Sequence, residues 1–188
     1  MSAAPLVYVM GPSGAGKDAL LAYARARLRH ERIAFAHRYI TRTGSDHENH
    51  IALNDEEFAA RSALGLFALE WTSHALRYGV GIEIDAWLAK GCTVVVNGSR
   101  AYLPFALARY PQLRVVHIDA APHVLAARLA TRGRETADQV RARLERKVAW
   151  TAPAGAAIAS IDNSGALDDA GQALVALLRQ SLPESAEQ

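Results

Sequence analysis

Residues 11–18 read GPSGAGKD, and this short stretch decides the fold. It matches G-x-x-x-x-G-K-[ST], the pattern of a phosphate-binding loop, except that Asp18 stands where the pattern has Ser or Thr. The glycines let successive backbone N–H groups turn toward an anion, and Lys17 can reach the β- and γ-phosphates of a nucleotide. A buried strand, Leu6–Met10, precedes the loop and a helix over 18–30 follows it, as this mechanism requires. The predicted nucleotide-binding residues are Gly11, Pro12, Ser13, Gly14, Ala15, Gly16, Lys17 and Asp18.

Strand-like and helix-like segments alternate along most of the chain, which is typical of an α/β domain with a central, largely parallel sheet. Together with the loop, this predicts the three-layer sandwich of a P-loop NTPase. The predicted strands and extended segments cover 6–10, 33–40, 67–71, 93–97, 113–119 and 156–163. The predicted helices cover 18–30, 54–65, 82–88, 101–109, 122–132, 136–150 and 167–182. Residues 36–90 lack a clean alternation and form a candidate subdomain.

Composition restricts the function classes. The chain has 188 residues, a net charge of +2 and one cysteine, Cys92. This length fits a single domain, 1–188, and the small charge gives no reason to expect nucleic-acid binding. No apolar run approaches the roughly 20 residues of a membrane span, and the first residues lack the basic region of a signal peptide. A lone cysteine suits a reducing compartment, so we expect a cytoplasmic protein without a membrane partner.

Several further motifs give the loop a family context. GPSGAGKD, YITR (39–42), GLFALEW (65–71), RYG (77–79) and RGRE (132–135) occur in the order seen in guanylate kinases. In the finer pattern, with HRYITR, ENHIAL, LRYG and VVVNGSRAYLP, the chain more closely resembles the ribose 1,5-bisphosphate phosphokinases (PhnN type) of the same fold group. The resemblance covers nearly the whole chain. It implies that ATP and Mg²⁺ are used to convert ribose 1,5-bisphosphate to 5-phosphoribosyl 1-diphosphate during phosphonate breakdown.

The resemblance also implies roles for particular residues. Arg42 matches the arginine that binds the acceptor phosphate in guanylate kinases, Arg38 lies four residues before it, and Tyr78 matches the acceptor-phosphate tyrosine. Residues 36–90 would then form the acceptor-binding insertion and residues 132–143 a lid over the nucleotide. The lid arginines are Arg128, Arg132, Arg134 and Arg143. Arg132 and Arg143 are predicted to be catalytic together with Lys17, Arg38 and Arg42, and Arg128 and Arg134 are predicted to bind the nucleotide.

Asp18 raises the question of how magnesium is held. Guanylate kinases have an acidic run at the end of the third strand, whereas this chain has Asn97 and Ser99 there. Acidic charge is therefore lost at the strand tip and gained in the loop. A carboxylate is a good hard-oxygen ligand for Mg²⁺ and is favoured at the first turn of a helix. We interpret Asp18 as a magnesium ligand.

The acceptor leaves two alternatives open. Glu70 occupies the position where guanylate kinases read guanine, which favours a guanylate or other nucleoside monophosphate kinase. The missing acids at the strand tip favour a sugar bisphosphate, which Asn49, His50, Asn97 and Ser99 could bind. A non-catalytic scaffold of the same fold is a third hypothesis. The intact glycines and Lys17 of the phosphate loop disfavour it. The protein is expected to act on a small phosphorylated molecule, as a monomer or a homodimer.

Overall fold

The computed structural model of the protein describes residues 5–42, 49–131 and 157–182. The strands, in chain order, are β1 Leu6–Met10, β2 Ile33–Phe35, β3 Arg38–Ile40, β4 His50–Ala52, β5 Phe67–Ser73, β6 Leu76–Gly81, β7 Thr93–Asn97, β8 Arg114–Asp119 and β9 Ile158–Asp162. The helices of the described residues are α1 Lys17–Arg27, α2 Asp55–Ala63, α3 Glu83–Ala89, α4 Leu103–Arg109, α5 Pro122–Thr131 and α6 Leu167–Gln180.

The central sheet is parallel throughout, in the order β2-β7-β1-β8-β9. β1 lies in its middle, paired with β7 on one side and β8 on the other, and all five of its residues are buried. A strand buried on both faces reads as a continuous apolar run, which is why LVYVM and TVVVN were predicted with the observed bounds. The prediction of an α/β fold with a central parallel sheet is confirmed.

Two apolar cores cover the faces of this sheet. One core joins the sheet to α1, α5 and α6, with Leu20, Leu125 and Leu174 among its buried residues. The other joins the opposite face to α3, α4 and a second sheet, with Tyr8 and Leu69 among its buried residues. The three-layer arrangement leaves the carboxyl ends of the parallel strands at one edge, where α/β proteins bind their ligands.

The second sheet contains four strands in the order β4-β3-β6-β5, and all of them lie within residues 36–90. β3 pairs in parallel with β4 and antiparallel with β6, and β5 and β6 form a hairpin. The sequence predicted one extended segment over 33–40, but the chain changes sheets within it, so that β2 and β3 belong to different sheets. Asn49 lies at this crossing, where its Nδ2 donates to the carbonyls of Phe35 and Ala36.

Sequence reasoning did not predict β6 as a strand because its hairpin lacks the usual turn residues. The two loop residues, His74 and Ala75, have φ of 51° and 59°. Such turns favour Asn-Gly or Asp-Gly, so a His-Ala turn gives no local signal of a hairpin. By contrast, α2 begins as its sequence predicts, since the Asn54 side chain accepts a hydrogen bond from the Glu57 N–H at 2.7 Å.

The helices and strands do not decide the roles that the resemblance implies for residues 36–90 and 132–143. That residues 36–90 bind an acceptor stays a prediction. The predicted lid, 132–143, and most of the predicted helix over 136–150 lie outside the described residues.

Tyr8 connects the middle strand to the loop after β7. Its side chain is fully buried, and its hydroxyl both donates to the Ser99 carbonyl and accepts from the Ser99 N–H, each at 2.9 Å. Burial raises the pKa of Tyr8 above the ordinary tyrosine value, so the hydroxyl keeps its proton. A Cβ at Gly98 would lie 2.4 Å from this hydroxyl, so only glycine fits there.

Removal of the Tyr8 hydroxyl should lower the stability of the fold. Tyr8→Phe leaves the Ser99 backbone groups without these partners, and we expect a loss of about 1–3 kcal/mol in the free energy of unfolding, measured by urea titration. Tyr39→Phe is the matched control. The Tyr39 hydroxyl lies 3.5 Å from Glu83 at a half-buried site, so its removal should cost less stability. Equal losses in the two variants would contradict the role of Tyr8.

Candidate active site

The phosphate loop connects β1 to α1 at the carboxyl edge of the central sheet. Gly16 has φ of 85° and is the N-cap residue of α1. A Cβ at Gly11 would lie 2.0 Å from the Ile118 carbonyl oxygen, so the loop packs tightly against β8. Lys17 is the first residue of α1, and its Nζ donates to the carbonyls of Gly11 and Pro12 at 2.9 and 3.0 Å. The loop thus has the strand, glycines, lysine and helix N-terminus that phosphate binding needs.

Asn163 supports the loop from the far side, and sequence reasoning missed it. Its buried Nδ2 donates to the Ala15 carbonyl at 2.7 Å, and its N–H donates to the Asp119 carbonyl at 2.7 Å. A Cβ at Gly16 would lie 2.4 Å from Nδ2 of Asn163. The available signal was its position, because Asn163 is a polar residue directly after a strand of a parallel sheet.

Arg128 reaches the same part of the loop from α5. Its Nη1 is buried, has no hydrogen-bond partner among the described residues, and would lie 3.7 Å from a Cβ at Gly16. A buried guanidinium nitrogen without an acceptor is costly unless a ligand supplies one. This placement beside the phosphate loop suits the predicted contact with a nucleotide phosphate. The other predicted lid arginines, Arg132, Arg134 and Arg143, lie outside the described residues.

Asp18 is held by two side chains from other elements. Its Oδ1 accepts hydrogen bonds from Nη2 of Arg38 at 3.0 Å and from Nδ2 of Asn97 at 2.8 Å. Arg38 comes from β3 in the second sheet, and Asn97 is the last residue of β7 in the central sheet. We call this arrangement of Asp18, Arg38 and Asn97 the Asp18 clasp. The Asp18 clasp brings together Asp18 and Asn97. In the sequence these are the positions where acidic charge is gained in the loop and lost at the strand tip.

A pocket lies beside the Asp18 clasp, between α1 and the crossing of the two sheets. Four residues predicted as site residues line it, namely Asp18, Arg38, Asn49 and Asn97. The remaining lining residues are Leu21, Ala22, Arg25, Phe35, Ala36 and Val95. The lining of the pocket therefore combines apolar side chains with polar and charged ones. The pocket extends from the phosphate loop along α1.

Tyr78 and His50 are near Arg38. The Arg38 guanidinium lies over the ring of Tyr78, 5.9 Å from its centroid, and Trp71 stacks against Tyr78. His50 is the partner of Arg38 in the β3–β4 register, and both of its ring nitrogens are buried with no hydrogen-bond partner in the part of the chain that the structure describes. A bound ligand could satisfy these nitrogens. Arg42 follows β3 by two residues and is half-buried.

Glu70 makes its contacts elsewhere. Its carboxylate accepts from Ser62 of α2 at 2.7 Å and from Arg77 at 2.9 Å. No contact of Glu70 with Arg38, Asp18 or Asn97 occurs among the described residues. Ser99 contributes to the Tyr8 contact through its backbone, just beyond the Asp18 clasp.

Solved structures identify the fold. The chain is similar to guanylate kinase from Anaplasma phagocytophilum, with a TM-score of 0.62 and 15% identity, covering 98% of this chain and 90% of the other. It is also similar to a sugar kinase from Janibacter sp. HTCC2649, with a TM-score of 0.54 and 17% identity, covering 93% and 94% of the two chains. The chain thus has the guanylate kinase fold, with a phosphate loop at the carboxyl edge of its central sheet.

Sequence relatives specify the family. The chain is 72% identical to the ribose 1,5-bisphosphate phosphokinase PhnN of Burkholderia pseudomallei, over 95% of this chain and 97% of the relative. It is 54% identical to the protein of the same name from Thiobacillus denitrificans, over 95% and 94% of the two chains. No protein-family model matches the chain. The chain belongs to the family of PhnN ribose 1,5-bisphosphate phosphokinases, and the predicted family is confirmed.

Proposed function

We propose that the protein transfers the γ-phosphoryl group of ATP to the 1-phosphate of ribose 1,5-bisphosphate, giving ADP and 5-phosphoribosyl 1-diphosphate. An oxygen of the acceptor phosphate forms a bond to the γ-phosphorus as the bond from that phosphorus to the β–γ bridging oxygen breaks. The observation that carries this proposal is the 72% identity, over 95% of the chain, to a relative named for this kinase activity. Phosphonate breakdown is the setting that the family resemblance implies.

The chain's own residues have to position two anions and neutralise their charge. The acceptor is already a phosphate, so no general base is needed to remove a proton from it. The backbone N–H groups of 13–16 and the Lys17 ammonium bind the phosphates of the nucleotide. Arg38, Arg42 and Tyr78 bind the acceptor phosphate, and Arg128 adds positive charge beside Gly16. Such groups, fixed before the reaction, stabilise the charge of the transferred group.

The remaining predicted site residues are also assigned to the acceptor or to the nucleotide. Asn49, His50, Asn97 and Ser99 are proposed to contact the sugar bisphosphate. Asn49 and Asn97 line the pocket, and the His50 ring nitrogens have no partner within the described ranges. Arg132 and Arg143 are proposed to close over the transferred phosphoryl group, with Arg134 on the nucleotide. These three arginines remain predictions from the sequence.

Mg²⁺ fits the site as an ion bound largely by substrate phosphates. No cluster of three or more His, Cys, Asp or Glu suited to a metal occurs in the described ranges. A single carboxylate is sufficient here, because Mg²⁺ usually takes one or two carboxylates and completes its shell with phosphates and water. In the Asp18 clasp both hydrogen bonds go to Oδ1, which leaves Oδ2 as the proposed ligand. When bound, the ion would neutralise charge on the phosphates.

The alternative acceptor, a nucleoside monophosphate, rests on Glu70. Its carboxylate is paired with Arg77 and Ser62, so reading a guanine edge would require these contacts to break. Asn97, at the strand tip, offers an amide rather than a second carboxylate. Both observations favour the sugar bisphosphate. The scaffold hypothesis is not favoured either, since the relatives carry the name of a kinase.

Location and assembly follow from the family only as proposals. We place the protein in the cytoplasm, acting as a monomer or a homodimer without a nucleic-acid partner. Within the described residues, no helix has the length and apolar character that a membrane crossing requires.

A panel of acceptors tests the proposed function. With ATP and Mg²⁺, ribose 1,5-bisphosphate should be converted with a higher kcat/KM than GMP, AMP or CMP, measured by coupled ADP release. Lys17→Ala should lower the rate by on the order of 100-fold or more, because the loop loses its preorganised charge. The melting temperature of the Lys17→Ala variant, compared with that of the parent, serves as the folding control. Preferred use of GMP would overturn the proposed acceptor, and a Lys17→Ala rate close to that of the parent would overturn the role of the loop.

The two sides of the site should respond differently to arginine removal. Arg42→Ala should raise the KM for ribose 1,5-bisphosphate and lower kcat, with little change in the KM for ATP. Arg128→Ala should instead raise the KM for ATP, because Nη1 lies beside Gly16. Steady-state kinetics with each substrate varied in turn measure this difference. Indistinguishable profiles for the two variants would contradict the division into acceptor and nucleotide sides.

A magnesium titration tests Asp18. Asp18→Ala should raise the Mg²⁺ concentration for half-maximal rate, and Asp18→Ser should recover part of the activity, because a hydroxyl is the common solution there. The double variant Asp18→Ser, Asn97→Asp should do better than either single change, since groups that share one ion are not additive. An unchanged magnesium midpoint with a lowered melting temperature would leave the Asp18 clasp as a purely structural contact.

A further inference from the structure

The pocket beside the Asp18 clasp has a cation at its far end that no described reaction step uses. Asp18, Leu21, Ala22 and Arg25 line one wall of the pocket. They are spaced i, i+3, i+4 and i+7, which is one face of α1. Arg25 follows Asp18 by seven residues, so the two lie about 10 Å apart along the helix axis. The pocket therefore runs from the phosphate loop to the guanidinium of Arg25.

Arg25 is held at this position by a neutral partner. Its Nη1 donates to Oδ1 of Asn49, whose Nδ2 is itself fixed by the carbonyls of Phe35 and Ala36. This tether links α1 to the crossing between the two sheets. Because the partner is an amide oxygen, the positive charge of Arg25 is not neutralised by this contact. The other lining arginine, Arg38, is paired with the Asp18 carboxylate.

The acceptor in the proposed function has chemistry that matches this cation. Ribose 1,5-bisphosphate carries two phosphates, of which only the 1-phosphate reacts. The 5-phosphate needs a positive partner at the other end of the sugar, away from the phosphate loop. We propose that Arg25, oriented by Asn49, binds the non-reacting 5-phosphate and so determines the preference for a bisphosphate. This inference rests on the proposed function and names the far subsite of the same pocket.

The subsite explains how one pocket can select between acceptors with the same reacting group. A guanidinium binds phosphate through paired N–H donors, and such charge-assisted bonds are stronger than neutral ones. An acceptor whose only phosphate is the reacting one gains nothing from Arg25. A bisphosphate gains a contact that does not touch the reacting atoms, so the effect should appear in KM rather than in kcat.

Kinetics of Arg25→Ala test the subsite, with Arg29→Ala as the matched control. Arg29 is exposed, follows Arg25 by four residues and does not line the pocket. Arg25→Ala should raise the KM for ribose 1,5-bisphosphate by about tenfold, the effect of one exposed charge-assisted contact, while kcat and the KM for ATP stay within about twofold. Arg25→Lys should recover part of the affinity, because it keeps the charge and loses the paired donors.

Competition with two monophosphates locates the contact on the substrate. Ribose 5-phosphate and ribose 1-phosphate are used as inhibitors against ribose 1,5-bisphosphate. Arg25→Ala should raise the inhibition constant of ribose 5-phosphate by about tenfold and leave that of ribose 1-phosphate unchanged. Equal effects on both inhibitors, or an Arg25→Ala enzyme indistinguishable from Arg29→Ala, would overturn the subsite alone. A parent enzyme that does not use ribose 1,5-bisphosphate would overturn the proposed function and the subsite together.

Discussion

The carboxylate of Asp18 is the contact on which the arrangement of the site depends. One oxygen, Oδ1, accepts from Arg38 of the second sheet and from Asn97 of the central sheet. A half-buried carboxylate requires such partners, because removing charge from water without compensation is costly. Since Asp18 belongs to the first turn of α1, the Asp18 clasp fixes the second sheet relative to the phosphate loop. The pocket then lies between the parts that it joins.

Apart from Arg38, which is paired with Asp18 and is also proposed to bind the acceptor phosphate, the basic residues differ in whether a carboxylate balances their charge. Arg77 is paired with Glu70, and Arg61 with Glu57, so their charges are balanced within the protein. Arg128 has a buried nitrogen for which the described residues offer no acceptor, and Arg25 has an amide as its partner. Both of these lie next to the phosphate loop or the pocket. A protein that binds two polyphosphorylated substrates needs such uncompensated cations, and here they are found where anions are expected.

Sequence reasoning succeeded where the signal is local and failed where it depends on distant contacts. The phosphate loop, the buried strands and the Asn54 cap are each specified by neighbouring residues, and their positions were predicted. The His74–Ala75 hairpin was missed because its left-handed turn has no glycine or asparagine. The segment 33–40 was predicted as one unit because both halves are extended, and only the Asn49 contacts and strand pairing reveal the change of sheet. The roles of Asn163 and Arg25 depend on partners far away in sequence, which periodicity cannot identify.

Charge at the strand tip explains why Asp18 and Asn97 belong together. Nδ2 of Asn97 lies 2.8 Å from Oδ1 of Asp18, so an aspartate at position 97 would place two carboxylates in contact. Like charges at this distance disfavour ionisation of one partner unless a cation lies between them. An amide at position 97 avoids this conflict and donates a hydrogen bond instead. The Asp18 clasp then carries one negative charge, on Asp18, and one positive charge, on Arg38. Because these two charges offset each other, Arg25 is the lining cation at the far end of the pocket whose charge is not paired with a carboxylate there. Selection of a doubly phosphorylated acceptor can thus be separated from phosphoryl transfer, because the two depend on opposite ends of the same face of α1.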